Sequence, residues 1–349
     1  MDIIQLIFQS HLIWVLTIAA LLDYTIGDPG SWLHPVQVMG WTIAWATQFS
    51  LKRLTSPRAL RLAGTGVGLG LVVGSGAIGW AIVFVATRLH PLLGVAIESI
   101  LLASCFAARS LRSAAEEVLH PLATGDLITA RQHLSRYVGR DTEDLPATDI
   151  LRAVLETVTE NATDGVMAPL FYAIVGAILA QGLSLGGAGP STLFLAAPLA
   201  LAYKASSTLD SMIGYREAPY TDFGWFSAKL DDILTWVPCR LLVLTLALLS
   251  GKPRSVLQIC WRDAPQDSSP NSGWSEGVYA AILGVQVGGT NYYRGVAKAK
   301  PPLGNAICPI TPDRIHHALQ LTRSGFLIWL GMGIMAVIAM SHWASSIGY

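Results

Sequence analysis

Residues 64–86, GTGVGLGLVVGSGAIGWAIVFVA, run for 23 positions without a charged side chain, and nothing else in the chain limits its fold so severely. About twenty apolar residues in a helix cross the hydrocarbon of a bilayer, and a helix satisfies its own backbone where no water can reach. Comparable runs occupy 3–22, 92–108, 233–250 and 326–343. Two shorter ones, 166–180 and 192–202, are interrupted by Pro169 and Pro198. Composition agrees: 52% of the residues are hydrophobic, 13% are charged and the mean hydropathy is +0.49. A soluble domain carries roughly 25% charged residues. The runs predict an all-α, polytopic integral membrane protein with five to seven membrane helices, forming one domain over residues 1–349.

Three polar segments, 109–160, 203–232 and 252–323, are too long to be turns. The first has apolar residues at three- and four-residue spacing, the mark of amphipathic helices. Basic residues favour the cytoplasmic side of a membrane. Lys52, Arg53, Arg58 and Arg61 place the first long loop there, and Arg109, Arg112, Arg131, Arg136 and Arg140 agree two crossings later. If 233–250 also crosses, Lys252, Arg254 and Arg262 fall on the other side. One of 166–180, 192–202 or 233–250 is therefore expected to lie flat or re-enter. The N-terminus has an early acid and no basic stretch, so 3–22 is expected to stay as a helix rather than leave as a signal peptide. The expectation is a multi-pass cell-membrane protein whose long amphipathic loops make a cytoplasmic active face.

Several function classes drop out. The formal net charge is +0, so no basic field recruits nucleic acid. The four cysteines are scattered without a CxxC pair, and the eight histidines contain no HExxH, which argues against structural zinc. Gly74-Ser-Gly76-Ala-Ile-Gly79 matches GxGxxG in letters, but a dinucleotide fingerprint needs a strand and a βαβ unit around it. Inside an apolar run, and beside Gly66 and Gly70, close helix packing through small residues is the better expectation. Gly251-Lys252 is followed by proline and has no glycine five residues upstream, so there is no Walker A loop. Asp164-Gly-Val-Met-Ala-Pro169 starts like the CDP-alcohol phosphotransferase signature, yet lacks its arginine and has Ile178 in place of a glycine.

Chemistry gathers at the edges of the apolar runs. In a helix over 152–164, Arg152, Glu156, Glu160 and Asp164 share one face. Like charges at that spacing repel; a cation would relieve them, and two or three oxygens suit a magnesium–phosphate complex. A solvated face with Asp164 capping a following helix is the competing reading. The second polar segment concentrates Lys204, Asp210, Arg216, Asp222, Lys229, Asp231 and Asp232 among aromatics. Lysine and arginine there suit phosphate or carboxylate, while a salt-bridged interfacial loop is the plainer alternative. In the third, Pro270-Asn271-Ser-Gly-Trp274-Ser-Glu276 reads as a turn into a helix with Glu276 in its first turn. Gly288-Gly-Thr-Asn291-Tyr292-Tyr293 reads as a second tight turn. Asp28 and His34 follow the first run, where a lone histidine is more often a packing or capping residue than a catalyst.

Together, LLDYTIGDP…HPVQVMG, ENATDGVMAPLFYA, YKASSTLDSMIGY, YTDFGWFSAKLDDILTWVPCRL and DAPQDSSPNSGWSEGVYAAILGVQVGGTNYY, spread over 21–293, resemble the adenosylcobinamide-phosphate synthase (CobD/CbiB) family of cobalamin biosynthesis. The resemblance implies an ATP-dependent amide ligase. It would join the free propionate of adenosylcobyric acid to the amine of (R)-1-amino-2-propanol phosphate, or of threonine phosphate, with ATP and magnesium. A carboxylate needs activation, for instance as an acyl phosphate, before an amine can displace anything from it.

On that reading Glu160, Asp164, Asp231 and Asp232 are expected magnesium ligands. Lys204, Arg216 and Lys229 would clamp phosphate, with Asp210, His34 and Asp28 near the substrate. Asn161, Asn271, Asn291 and Tyr292 would orient the reacting centre, and Glu276 would take a proton from the amine. Self-association, or assembly with other membrane enzymes of the pathway, stays open. A transporter and a corrinoid-binding scaffold are the alternatives from other classes.

Overall fold

The structure, a computed structural model, describes residues 11–28, 33–183 and 194–346. Residues 3–10 of the first apolar run and 192–193 of the fifth lie outside the described residues. Among the described residues, thirteen α-helices and one hairpin follow in order: α1 (His11–Thr25), α2 (Pro35–Arg53), α3 (Pro57–Leu89), α4 (Pro91–Ala103), α5 (Ala108–Ala123), α6 (Leu127–Leu134), α7 (Ala147–Asn161), α8 (Ala168–Leu183), α9 (Ala196–Ile213), α10 (Trp225–Leu249), α11 (Pro253–Asp263), α12 (Ser272–Leu283), β1 (Gln286–Tyr293), β2 (Val296–Gly304) and α13 (Pro312–Ser346).

Among the described residues, five helical stretches are long and apolar enough to cross a membrane: Pro57–Leu89, Pro91–Ala123, Ala147–Leu183, Trp225–Leu249 and Pro312–Trp343. The all-α membrane reading therefore holds, with five at the lower end of the expected range. The run 192–202 supplies only the apolar start of α9, which goes on to carry Lys204 and Asp210. Neither proline breaks its helix. Pro198 sits in the first turn of α9, where no N–H bond is lost. Pro169 follows a six-residue π-helical stretch, Ala162–Met167, that joins α7 to α8; such widened turns absorb a local mismatch in the hydrogen-bond ladder.

Helix starts are encoded locally. His-Pro opens both α2 and α4: proline takes the first position, where its missing N–H costs nothing, and the ring nitrogen of His34 or His90 accepts the N–H of Val36 or Leu92. Gln37 completes a capping box on α2. Asp126 caps α6 by accepting from Thr129 N at 3.0 Å.

The chain forms two compact units. The first comprises residues 1–107, 168–234 and 327–349. Here α9 packs against α2, α3, α4 and α8. Its core includes Ile43, Leu209, Ile213 and Phe223. The glycines of α3 divide into two sets. At Gly64 an added Cβ would collide with the Phe223 carbonyl, and at Gly68 and Gly79 it would run into Phe226 and Leu201. At Gly66, Gly70 and Gly74 it would meet nothing within 4 Å. Of the glycines that the sequence singled out for close packing, Gly79 and Gly76, the latter 3.3 Å from the Pro198 carbonyl at its added Cβ, thus face a neighbour, whereas Gly66, Gly70 and Gly74 do not. Within the same unit, His11 Nε2 and Glu98 Oε2 form a buried pair at 2.7 Å, while Glu98 Oε1 accepts the N–H of Ala197 at the start of α9.

The second unit comprises residues 108–167 and 235–326. It brings the first and third polar segments together. The amphipathic helices α5 and α7 bury their apolar stripes with α6, α12 packs on α7, and the hairpin lies against α7, α11 and α12.

Candidate functional site

The second unit's site is built on α7. Glu156 and Thr159 are buried on that helix, and Glu160 and Asn161 are exposed at its end. Glu156 is held from three sides. Arg140 Nη2 donates to its Oε2 at 2.5 Å, Gly288 N donates to its Oε1 at 2.8 Å, and Arg152 lies 3.8 Å away, one turn back. Arg152 also donates to the Gly288 carbonyl, and Arg140 Nη1 to Asn291 Oδ1 at 2.9 Å. One buried carboxylate thereby ties the first polar segment to the hairpin.

The hairpin corrects one expectation: Gly288–Tyr293 is strand, not a turn. Gly288 and Gly289 both take positive φ, 92° and 100°, where the pairing register shifts, so the glycines serve a β-bulge. The turn itself is Arg294-Gly295, with φ of 52° and 76°, a two-residue connection whose twist suits antiparallel strands. Asp141 secures it by accepting from Arg294 N at 2.8 Å and Gly295 N at 2.7 Å.

Opposite Gly289 in this register stands Lys300. Its Nζ reaches Glu276 Oε1 on α12 at 2.5 Å, with side-chain exposures of 23% and 0%. Glu276 lies in the second turn of α12, one turn deeper than expected, because the helix starts at Ser272. Ser275 fixes that helix on α7: its hydroxyl donates to the Thr159 carbonyl at 2.5 Å and pairs with Thr163 Oγ1 at 2.6 Å. The next residue on each helix is therefore a glutamate, Glu276 on α12 and Glu160 on α7.

Burial pushes the Glu276 carboxyl well above the ordinary carboxylate range against the pull of Lys300, and Glu160 and Glu156 push it the same way. Burial works against the Lys300 ammonium, but Glu276, Glu160 and Glu156 outweigh it and hold the ammonium above its usual value. Glu276 Oε2 is buried without a hydrogen-bond partner among the described residues, and so is Asp267 Oδ2. An acceptor left in that state costs about 1–3 kcal/mol.

The structure gathers Glu160, Asn161, Asp164, Asn271, Glu276, Asn291 and Tyr292 into the second unit. Asn161 turns back to the Thr157 carbonyl of its own helix at 2.9 Å. Asp164 is half-buried in the π-helical stretch, so the chain is helical throughout and Asp164 starts no new helix. Asn271 Oδ1 accepts from Arg240 Nη1 at 3.2 Å. The Arg240 guanidinium lies 4.5 Å from the ring centre of Trp274 and 5.1 Å from that of Trp236. Tyr292 is exposed.

The remaining predicted residues belong to the first unit. Lys204 and Asp210 lie on α9, both half-buried, and Arg216 is exposed in the turn that follows. Lys229 pairs with Asp232 at 3.3 Å along α10, and Asp231 is buried. His34 acts as the helix cap described above, so its Nε2 carries the proton toward Asp28 Oδ1 at 3.1 Å.

Among the described residues, no three histidine, cysteine, aspartate or glutamate side chains stand together as a metal site. The four expected magnesium ligands are divided, Glu160 and Asp164 in one unit and Asp231 and Asp232 in the other. Magnesium usually takes one or two carboxylates and completes its shell with water and substrate phosphate. Glu160, exposed and without an ion pair or hydrogen bond among the described residues, fits that pattern with Asp164. Sequence reasoning passed over Lys300, Arg140 and Arg240 as site residues. Lys298 and Lys300 look alike in VAKAKPP, and only the strand register separates them.

A family model described as CobD/Cbib protein matches residues 16–322. The cobalamin biosynthesis protein CobD of Synechocystis sp. is 50% identical over 328 residues, covering 94% of this chain and 92% of that protein. CobD of Halalkalibacterium halodurans is 41% identical over 92% of this chain and 95% of its own. CbiB of Salmonella typhimurium is 39% identical over 93% and 97%. No solved structure matches. A match of this extent, running through α7, the Glu276 helix and the hairpin, leaves one conclusion: the chain belongs to the CobD/CbiB family.

Proposed function

We propose that the protein is an enzyme of cobalamin biosynthesis that joins adenosylcobyric acid to (R)-1-amino-2-propanol phosphate in an ATP-dependent amide ligation at the cytoplasmic face of the cell membrane. The family supports the pathway. The observation that carries the chemistry is the buried Glu276–Lys300 pair beside the free carboxylate of Glu160. An acid–base pair with displaced proton affinities, set behind an accessible group, is what amine activation requires.

ATP would convert the propionate to an acyl phosphate. The amine nitrogen then forms the C–N bond as the C–O bond to phosphate breaks, and inorganic phosphate leaves. One ammonium proton goes to a carboxylate and the second departs with the phosphate. Glu160 and Asp164 would hold magnesium, which when bound offsets phosphate charge; Asp231 and Asp232 are the second pair proposed for that duty. Lys204, Arg216 and Lys229 would bind phosphate groups, with Asp210, His34 and Asp28 alongside. Asn161, Asn271, Asn291 and Tyr292 would orient the acyl centre. Threonine phosphate is the competing amine.

The deciding experiment gives purified full-length protein adenosylcobyric acid, ATP, magnesium and either amine, and follows the product by mass. A new amide with stoichiometric ADP supports the reading. Corrinoid binding without ATP use would favour a scaffold, and flux into proteoliposomes without chemical change would favour a transporter.

A further inference from the structure

We infer that Glu276 Oε2 and Glu160, on opposite sides of the α7–α12 contact, form a recognition site for a primary ammonium group, with Lys300 as the positioning residue that holds Glu276 by its other oxygen; Glu160 then serves the amine, and the magnesium duty given to it above passes to Asp164. The choice of ligand rests on the amide-forming reading above, but the site is argued from geometry. Ser275 bonds to the Thr159 carbonyl at 2.5 Å, which fixes the adjacent Glu276 and Glu160 on facing helices. Lys300 occupies Oε1 at 2.5 Å. That leaves Oε2 buried and unpartnered, on a side chain that is 0% exposed.

A buried acceptor in that state lacks a donor, and the accessible carboxylate beside it selects a cationic one. A neutral hydroxyl would satisfy only Oε2. An ammonium has three donors and can meet both carboxylates at once. Glu156 takes no part, because Arg140, Arg152 and Gly288 N already surround it. With Lys300 in place, two carboxylates would then face two ammonium groups.

The test uses the full-length protein in detergent and compares binding of 1-amino-2-propanol O-phosphate with isopropyl phosphate, which lacks only the amine, by calorimetry. The wild type should prefer the amino ligand by about tenfold or more, the ratio produced by one good charged contact of ~1.4 kcal/mol. Glu276→Gln should erase that preference, and Glu160→Gln should reduce it. Lys300→Arg should preserve it. Lys300→Met should weaken the preference while leaving the affinity for isopropyl phosphate unchanged, a selective loss that a merely structural lysine would not produce.

Equal binding of both ligands by the wild type, or an unchanged preference in Glu276→Gln, overturns the proposal. If Glu276→Gln does not fold, the exposed Glu160→Gln decides, and an unaltered preference there overturns it equally. A clear amine preference without any amide product would instead sink the amide-forming reading and leave the ammonium site standing. Amide formation without the preference would do the reverse.

Discussion

Arg140 and Glu156 form an ion pair that is nearly closed to water: 2.5 Å separates Nη2 from Oε2, with side-chain exposures of 9% and 2%. The pair joins the loop before α7 to α7 itself, and Asn291 extends it to β1. Breaking one partner of such a pair leaves a buried charge uncompensated, at a cost of about 3–5 kcal/mol. Arg140→Ala should therefore lower the melting temperature sharply in detergent. Arg140→Met with Glu156→Gln should recover part of the loss, because the amide carries no charge and still accepts from Gly288 N, and a melting curve of the double variant no better than the single would contradict this account.

Asp141 is the lock on the hairpin turn. Asp141→Ala removes both acceptors for Arg294 N and Gly295 N, and hydrogen bonds to a charged group contribute about 1.5–3 kcal/mol each. Faster hydrogen exchange at those two amides, with α3 and α9 unaffected, is the expected outcome.

Gly288 and Gly289 separate conformation from contact. Both hold φ near 90–100°, but only at Gly288 would a Cβ drive into the Pro301 carbonyl. Left-handed backbone costs about 1–3 kcal/mol for an ordinary residue. Gly289→Ala should cost that much alone. Gly288→Ala should cost clearly more and loosen Glu156, whose Oε1 it serves. Thermal melting of the two variants side by side makes the comparison.

Asp263 gives a pH dependence. The hydrogen bonds from the Arg262 guanidinium, followed by the one from Gly304 N, hold its carboxyl below the usual value of 3.8 despite burial. A lowered folded value means that the native state binds fewer protons there than the unfolded state. Its stabilisation is complete above pH 3.8 and is lost as pH falls through the lowered value. Asp263→Asn should be less stable near neutrality and show a flatter decline on acidification, read from denaturation midpoints between about pH 5 and 2.

Two substitutions probe the proposed activity. Asp164→Asn should abolish turnover while the protein remains inserted and folded. Lys204→Ala should raise the apparent KM for ATP or the amino phosphate by about tenfold, the loss of roughly one charged contact. Wild-type kinetics in either variant would remove that residue from the site.

Length and hydropathy carried the membrane helices directly, since a run such as 64–86 has few other stable solutions. Turn chemistry misled at Gly288-Gly289, because glycine marks a bulge inside a strand as readily as a turn between strands. Charge density singled out α7 and the 203–232 segment, yet it could not say that these fall in different units, which depends on distant packing. Lys300 was beyond reach for a sharper reason. Its importance comes from facing Gly289 across a shifted register and Glu276 on another helix, and no local pattern encodes either neighbour. His34 shows the opposite case, since His-Pro with Gln37 three residues on is a cap that can be read from the letters.

The two glycine series of α3 make that helix its own compass. Alanine should be tolerated at Gly66, Gly70 and Gly74 and resisted at Gly64, Gly68 and Gly79, even though all six are the same letter on one continuous rod. A scan of these positions would report, from viability alone, which way the rod is turned. Any later tolerance lost at Gly66, Gly70 or Gly74 in a native membrane would announce a neighbour that the isolated chain does not contain.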